Sequence, residues 1–248
     1  MQAFAKPMEQ VRPPDSLTHW VRVQDTRHPW ARSETLDDLR GWIREAENGD
    51  KLAEAGEKVM PLLLSGETRC GKTSTLCWLA HSYFEVETYR ASIGSMLGAV
   101  MGETVKNFGK AIAEACHGPP GLYLMDEVDG IFQQRHCDTA GGGAVQELNS
   151  AIAAALSMIE NLPQHLMLAA TTNEPGILDR AMLARFTHVG FPGWGELSEA
   201  ERKDFARSHK HEPAWVRDSY AGCVQEARRE RIRKILDSDP PGDWQNRE

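Results

Sequence analysis

Short runs of apolar residues, separated by glycine, proline or charged residues, recur along the chain and predict buried strands. The runs are Leu62–Ser65, Val86–Ala91, Leu122–Met125, Leu166–Thr172 and Val189–Phe191, and Leu17–Val23 predicts a further short strand. Between them, apolar residues recur three or four positions apart, as they do on one face of a helix. These stripes are Leu36, Leu39, Trp42 and Ile43; Leu76, Leu79, Ala80 and Tyr83; Val105, Phe108, Ile112 and Ala115 or Cys116; and Val145, Leu148, Ile152, Leu156 and Ile159.

The two ends of the chain have a different pattern. Residues 1–30 begin with a proline-containing stretch, which predicts a flexible arm. A long charged helix is predicted from Ala214 to Leu236, and residues 239–248 are expected to form a tail. Capping boxes predict where two further helices begin: Thr35 with Asp38, and Ser198 with Glu201.

The run Leu62–Ser65 continues directly into GETRCGKT, which matches G-x-x-x-x-G-K-[ST], the phosphate-binding loop. Backbone N–H groups of such a loop wrap nucleotide phosphates, and a side chain at Gly71 would crowd them. Lys72 supplies positive charge to the β- and γ-phosphates, Thr73 supplies a hydroxyl to Mg²⁺, and the following helix directs its N-terminal dipole at the anion. A chance match is the alternative, but a strand precedes the loop and a helix follows it. We expect the phosphate-binding residues to be Gly66, Glu67, Thr68, Arg69, Cys70, Gly71, Lys72, Thr73 and Ser74.

Polar side chains follow two other apolar runs. Asp126 and Glu127 come directly after Leu122–Met125, and Asn173 comes directly after Leu166–Thr172. Ligands of open parallel sheets bind at the carboxyl ends of the strands. We therefore expect Asp126 to hold Mg²⁺, Glu127 to polarise a water and Asn173 to align that water against the γ-phosphate. The alternative for the two acids is a strand that ends in solvated charges.

Composition limits the function classes. The formal net charge of −8 disfavours a surface that coats nucleic acid, although the basic final helix leaves a local contact open. No apolar run is long enough to cross a membrane, and the N-terminus lacks the apolar core of a secretory signal. The odd number of cysteines, five, without C-x-x-C spacing fits a cytoplasmic protein. His136, Cys137 and Asp138 are adjacent, which disfavours a shared metal ion.

The order of these motifs, completed by LDRAMLARF at residues 178–186, resembles the AAA+ ATPase module and, within it, the classical AAA branch. The resemblance covers roughly Thr35 to Pro192. It implies an α/β fold, the P-loop NTPase three-layer sandwich with a parallel sheet, followed by a short α-helical lid. The implied domains are an arm at 1–30, a nucleotide-binding domain at 31–196, a lid at 197–238 and a tail at 239–248.

The resemblance also implies roles for single residues. Lys72 and Thr73 match the Walker A lysine and hydroxyl, Asp126 the magnesium acid and Glu127 the catalytic glutamate. Asn173 matches sensor 1. Arg185 matches the arginine finger, which reaches into a neighbouring subunit's site. An intramolecular salt bridge of Arg185 with Asp179 is the alternative.

Three departures qualify the resemblance. His188 stands where the branch often has a second arginine, and Val100-Met101-Gly102 lacks the usual aromatic of the pore loop. The lid is short, and Arg228 is a weak candidate for the sensor 2 arginine.

Three functions are consistent with these motifs. The first is a Mg²⁺-dependent ATP hydrolase that assembles, as a hexamer or another ring or helical homo-oligomer, and remodels a protein target. The second is an ATP-switched nucleic-acid factor, such as a loader or transposition-type ATPase. The third is an assembly module in which hydrolysis is secondary.

Overall fold

The computed structural model describes residues 17–23, 29–92, 96, 103–130, 132, 153–164, 166–209 and 219–238. Its centre is a six-stranded sheet in the order β1-β3-β4-β5-β2-β6. All neighbouring strands are parallel except the edge strand β1, which pairs antiparallel with β3. The strands are β1 Val21–Val23, β2 Leu62–Ser65, β3 Thr88–Ser92, β4 Gly121–Asp126, β5 Leu166–Thr172 and β6 Thr187–Gly190.

Helices connect the strands. They are α1 Ser33–Glu47, α2 Gly49–Glu54, α3 Lys72–Phe84, α4 Glu103–His117, α5 at residues 153–160, α6 Arg180–Leu183, α7 Glu199–Ser208 and α8 Tyr220–Ser238. One face of the sheet packs on α4 and α5 through a core that includes Phe108, Tyr123 and Leu156. Because β4 and β5 are buried along their whole length, they consist of nearly continuous apolar residues, as buried parallel strands do. The predicted α/β three-layer fold is confirmed.

The N-terminal strand is anchored to this core. Trp20 donates a hydrogen bond from Nε1 to the Ala111 carbonyl at 2.9 Å, and its ring meets Tyr123 edge to face. Residues 17–23 of the predicted flexible arm are therefore part of the sheet and its core, because burial of Leu17 and Trp20 fixes them.

One of the two predicted capping boxes is wrong. Helix α1 begins at Ser33 after Arg32, which makes no side-chain cap bond, and Thr35 lies buried inside the first turn. Ser198 does cap α7, since its Oγ accepts from the Glu201 N–H while the Glu201 carboxylate accepts from the Ser198 N–H.

Among the described residues, those of 17–66 and 71–191 form one compact unit, and 67–70 and those from 192 onward form a second. The C-terminal part of the second unit begins at Pro192, whereas the predicted lid begins at residue 197. Its described core contains edge-to-face contacts among Trp194, Phe205 and Tyr220. Glu67 accepts a hydrogen bond from the Trp194 N–H at 2.9 Å within the same unit. No helix in the described part of the chain is long and apolar enough to cross a membrane.

Candidate active site

The predicted site residues follow strands that end at the same edge of the sheet. Ser65 at the end of β2 is opposite Thr172 of β5, and Met125 of β4 is opposite Ala170 of β5. The parallel register therefore brings Gly66 at the start of the phosphate loop, the acids after β4 and the amide after β5 to one edge.

Lys72 is the first residue of α3 and is buried, with 7% of its surface exposed. Its Nζ donates to the Gly66 carbonyl at 2.7 Å and to the Asn173 Oδ1 at 2.9 Å. A buried ammonium is costly unless its donors are satisfied, and these two bonds supply such partners. The structure thus joins the first glycine of the loop, its lysine and the amide after β5.

Asp126, at the end of β4, is also buried, with 5% of its surface exposed. Its Oδ1 accepts from the Thr73 hydroxyl at 2.8 Å and from the Thr171 hydroxyl at 3.1 Å. Its Oδ2 accepts a hydrogen bond and forms an ion pair with the guanidinium of Arg90 on β3. Neither Arg90 nor Thr171 was predicted as a site residue.

Glu127 has an exposed side chain and a left-handed backbone, with φ at 62°. Its N–H donates to the Thr171 hydroxyl at 3.1 Å, so one threonine holds both acids. A non-glycine residue with positive φ is uncommon and is typical of functional sites. The bend turns the Glu127 side chain away from the buried path of β4.

Asn173 is positioned from its backbone as well as from its side chain. Its N–H donates to the Asp129 Oδ1 at 3.4 Å, across the short helical turn that follows Glu127. Asp129 is thus a further residue that supports the site and that we did not predict.

The residues present fit a nucleoside triphosphate with Mg²⁺. The Thr73 hydroxyl and the Asp126 carboxylate are hard oxygen donors that meet at 2.8 Å, which are ligands that Mg²⁺ prefers. Gly71 has φ at 104°, and an added Cβ would lie 3.4 Å from the Thr75 hydroxyl. Glycine is needed here because an L side chain rarely adopts this backbone conformation. Helix α3 begins at the next residue and presents its N-terminus at the same place.

Glu67, Thr68, Arg69 and Cys70 belong to the second unit. Arg69 is exposed and has φ at 67°, whereas Cys70 is buried with 1% of its surface exposed. Arg228 on α8 is exposed.

Arg185 has partners outside the group of residues around Lys72 and Asp126. Its guanidinium forms an ion pair with Glu160 at the end of α5, with Nη2 and Oε1 2.8 Å apart, and donates to the Ala181 carbonyl. Asp179, the alternative partner considered from the sequence, caps α6 by accepting from the Ala181 N–H at 2.7 Å. His188 bonds the Leu183 carbonyl at 2.9 Å and is exposed.

Several predictions fall outside the described residues. They concern the pore-loop position at residues 100–102 and the adjacent His136, Cys137 and Asp138. Among the residues that the structure describes, no group of three or more His, Cys, Asp or Glu side chains forms a metal cluster.

Comparison with protein families gives a match at residues 62–192 to the model described as "ATPase family associated with various cellular activities (AAA)". The match covers more than half of the chain. It begins at β2 and includes the loop, both acids, Asn173 and Arg185.

Named relatives have similar sequences over part of their length. CD-NTase-associated protein 6 of Pseudomonas aeruginosa is 28% identical over 187 residues, which are 59% of this chain and 61% of that protein. ATP-dependent zinc metalloprotease FtsH 1 of Petrotoga mobilis is 28% identical over 153 residues, 60% of this chain and 23% of that protein. Proteasome-activating nucleotidase of Thermococcus onnurineus is 31% identical over 126 residues, 49% of this chain and 30% of that protein. The chain thus spans less than two thirds of each relative.

Proposed function

Because this chain belongs to the AAA family of ATPases, we propose that it is a Mg²⁺-dependent ATP hydrolase that works as a homo-oligomer, a hexamer or another ring or helix, to remodel a protein target. The observation that supports the proposal most strongly is the contact of two residues at the start of α3 with two residues at strand ends. Lys72 contacts Asn173, and Thr73 contacts Asp126, although each pair is far apart in sequence.

Each of these residues has a distinct task in the proposed reaction. Lys72 binds the β- and γ-phosphates, and its ammonium moves from Asn173 and Gly66 toward them. Thr73 and Asp126 would hold Mg²⁺, which when bound supplies positive charge to the phosphate oxygens. Glu127, exposed beside them, orients and polarises the attacking water as a general base. Asn173 positions the same water through its amide.

A protein target is favoured by the relatives and by charge. Two relatives have names that refer to a protease and to the proteasome, and we transfer from them only the proposal that the substrate is a polypeptide. The net charge of −8 would repel a nucleic-acid backbone. The basic helix α8 also carries acids, and pairs such as Arg229–Glu226 at 3.7 Å and Lys234–Glu230 at 3.0 Å indicate a solvated face.

The target can be tested with a trapped protein. Glu127→Gln preserves the loop and Asp126 but removes the water-polarising charge, so ATP should bind and persist. A partner retained by Glu127→Gln with ATP, but not by Lys72→Ala, should stimulate ATP turnover by the wild-type protein once it is purified. Retention of DNA or RNA instead, with affinity that falls steeply as salt rises, would favour the nucleic-acid factor.

Assembly can be tested separately through Arg185. A guanidinium supplied by a neighbour is worth on the order of 10³-fold in rate in related phosphoryl-transfer systems. Arg185→Ala retains its pocket, and Lys72→Ala retains its finger, so mixed oligomers should regain activity that neither protein has alone. Normal turnover by Arg185→Ala, or no recovery although the subunits co-assemble, would contradict a finger that acts in trans.

A further inference from the structure

Arg90 is the one charged side chain among the three described partners of the Asp126 carboxylate. The two threonine hydroxyls, from Thr73 and Thr171, share Oδ1, and the guanidinium of Arg90 takes Oδ2. Because Asp126 is buried, its negative charge needs compensation. In the structure the guanidinium of Arg90 supplies the compensating positive charge.

The sheet register explains how Arg90 reaches this position. Arg90 of β3 is opposite Leu124 of β4, and Ser92 is opposite Asp126. Residues two apart on a strand lie on the same face of the sheet. Arg90 and Asp126 are therefore diagonal neighbours on one face, and the long arginine side chain spans the remaining distance toward the strand end.

The two side chains differ in their freedom to move. The Arg90 side chain is 47% exposed, whereas the Asp126 side chain is 7% exposed. An exposed arginine can exchange its carboxylate partner for water at little cost. A buried carboxylate, held at Oδ1 by two hydroxyls, cannot turn away in the same manner. Asp126 is thus fixed, and Arg90 is the partner that is able to leave.

We propose that Arg90 competes with Mg²⁺ for Asp126. It occupies Oδ2 in the nucleotide-free protein and withdraws toward solvent when the cation binds with nucleotide. Arg90 thereby raises the Mg²⁺ concentration that tight nucleotide binding requires. This inference rests on the proposed Mg²⁺ site at Thr73 and Asp126.

The test measures binding rather than turnover. Fluorescence anisotropy of N-methylanthraniloyl-ADP gives nucleotide affinity in EDTA and along a Mg²⁺ titration, for the wild type and for Arg90→Gln. The Mg²⁺ midpoint should fall about tenfold in Arg90→Gln, which is roughly the effect of one unit charge that opposes a divalent cation across several ångströms of water-like medium. The affinity in EDTA should remain within about twofold, since Arg90 contacts the acid and not the loop.

Arg22→Gln is the matched control. Arg22 lies on the neighbouring strand β1 and forms an ion pair with Glu87, with both side chains about half exposed. Its loss should leave the Mg²⁺ midpoint unchanged. If Arg90→Gln does not fold, Arg90→Met removes the same charge while it preserves the aliphatic side chain, and the same tenfold fall is expected.

The outcomes separate the two proposals. If Mg²⁺ strengthens nucleotide binding by the wild type but the midpoint is unchanged or higher in Arg90→Gln, competition by Arg90 is wrong and the Mg²⁺ site stands. If Mg²⁺ has no effect on binding by the wild type, the Mg²⁺ site fails and the inference about Arg90 fails with it. If the Mg²⁺ midpoint falls equally in Arg22→Gln, the effect comes from the overall surface charge and not from the contact of Arg90 with Asp126. That result would also overturn the inference.

Discussion

The contact between Lys72 and Asn173 predicts opposite behaviour for two substitutions of the same residue. Asn173→Asp places a carboxylate where the Lys72 Nζ now meets an amide oxygen at 2.9 Å. The resulting charge-assisted bond holds the lysine more firmly and neutralises the charge that the phosphates require. Asn173→Ala removes the acceptor and leaves the lysine to its other partners, among them the Gly66 carbonyl.

The magnitudes follow from the chemistry of each change. A unit charge about 4 Å away is worth ~1 kcal/mol in water and ~4 kcal/mol near a protein surface. The nucleotide affinity of Asn173→Asp should therefore fall roughly fivefold to several hundredfold. A hydrogen bond to a charged group contributes about 1.5–3 kcal/mol. Nucleotide-free Asn173→Ala should lose about that much unfolding free energy. Because Lys72 leaves Asn173 when the phosphates bind, nucleotide affinity should rise by roughly tenfold or more.

Two measurements check this pair. Anisotropy titrations with a labelled non-hydrolysable ATP analogue give affinity, and urea unfolding without nucleotide gives stability. If Asn173→Asp binds the nucleotide analogue as tightly as the wild type does, the contact between Lys72 and Asn173 does not lie where the phosphates bind. Equal losses of affinity in both variants would show that the amide itself binds nucleotide, rather than acting through Lys72.

Further predictions concern the proposed general base and two regions that support the fold. Glu127→Gln should bind ATP normally, with turnover lowered about 10²-fold or more in a phosphate-release assay. Gly121→Ala should lower the unfolding free energy by about 1–3 kcal/mol or more in urea, because the new Cβ would lie 2.6 Å from the Glu87 carbonyl. Gly109→Ala in α4 is the control, since its Cβ meets nothing closer than 3.9 Å, and it should gain about 0.5–1 kcal/mol. Burial raises the pKa of the Glu114 carboxyl, but bonds from Thr18 and His19 outweigh burial and hold that pKa below its usual value. The wild type should thus have a larger unfolding free energy than Glu114→Gln at neutral pH. Urea unfolding at several pH values should show that this difference disappears as pH falls through the lowered pKa.

The centre of the fold was predictable because burial on both faces demands apolar residues. β4 and β5 are continuous apolar runs, and the structure places β5 at Leu166–Thr172, the range given by the sequence. Strand β6 is less regular, with a burial pattern that alternates, and it begins two residues earlier than the predicted Val189. A half-buried edge strand has a weaker apolar signal than a central one.

The partners of the site residues were not predictable, because a tertiary contact has no local signal. Arg90 lies in a strand and could equally face solvent, and only the β3–β4 register brings it to Asp126. Thr171 has the composition of an ordinary strand residue, yet it contacts both Asp126 and Glu127. The motif predicts which residues meet the nucleotide but not which residues hold them in place.

The contacts of Arg185 within the subunit bear on the proposed finger for a neighbour. The Glu160 side chain is 49% exposed, and an exposed ion pair of this kind contributes about 0–1 kcal/mol. Within the part of the chain that the structure describes, the Arg185 Nε is buried without a hydrogen-bond partner. A buried donor that lacks a partner carries a cost of about 1–3 kcal/mol, so the contacts within the subunit do not satisfy the whole guanidinium. Release of Glu160 would therefore cost little, so this ion pair would not prevent the proposed use of Arg185 in trans.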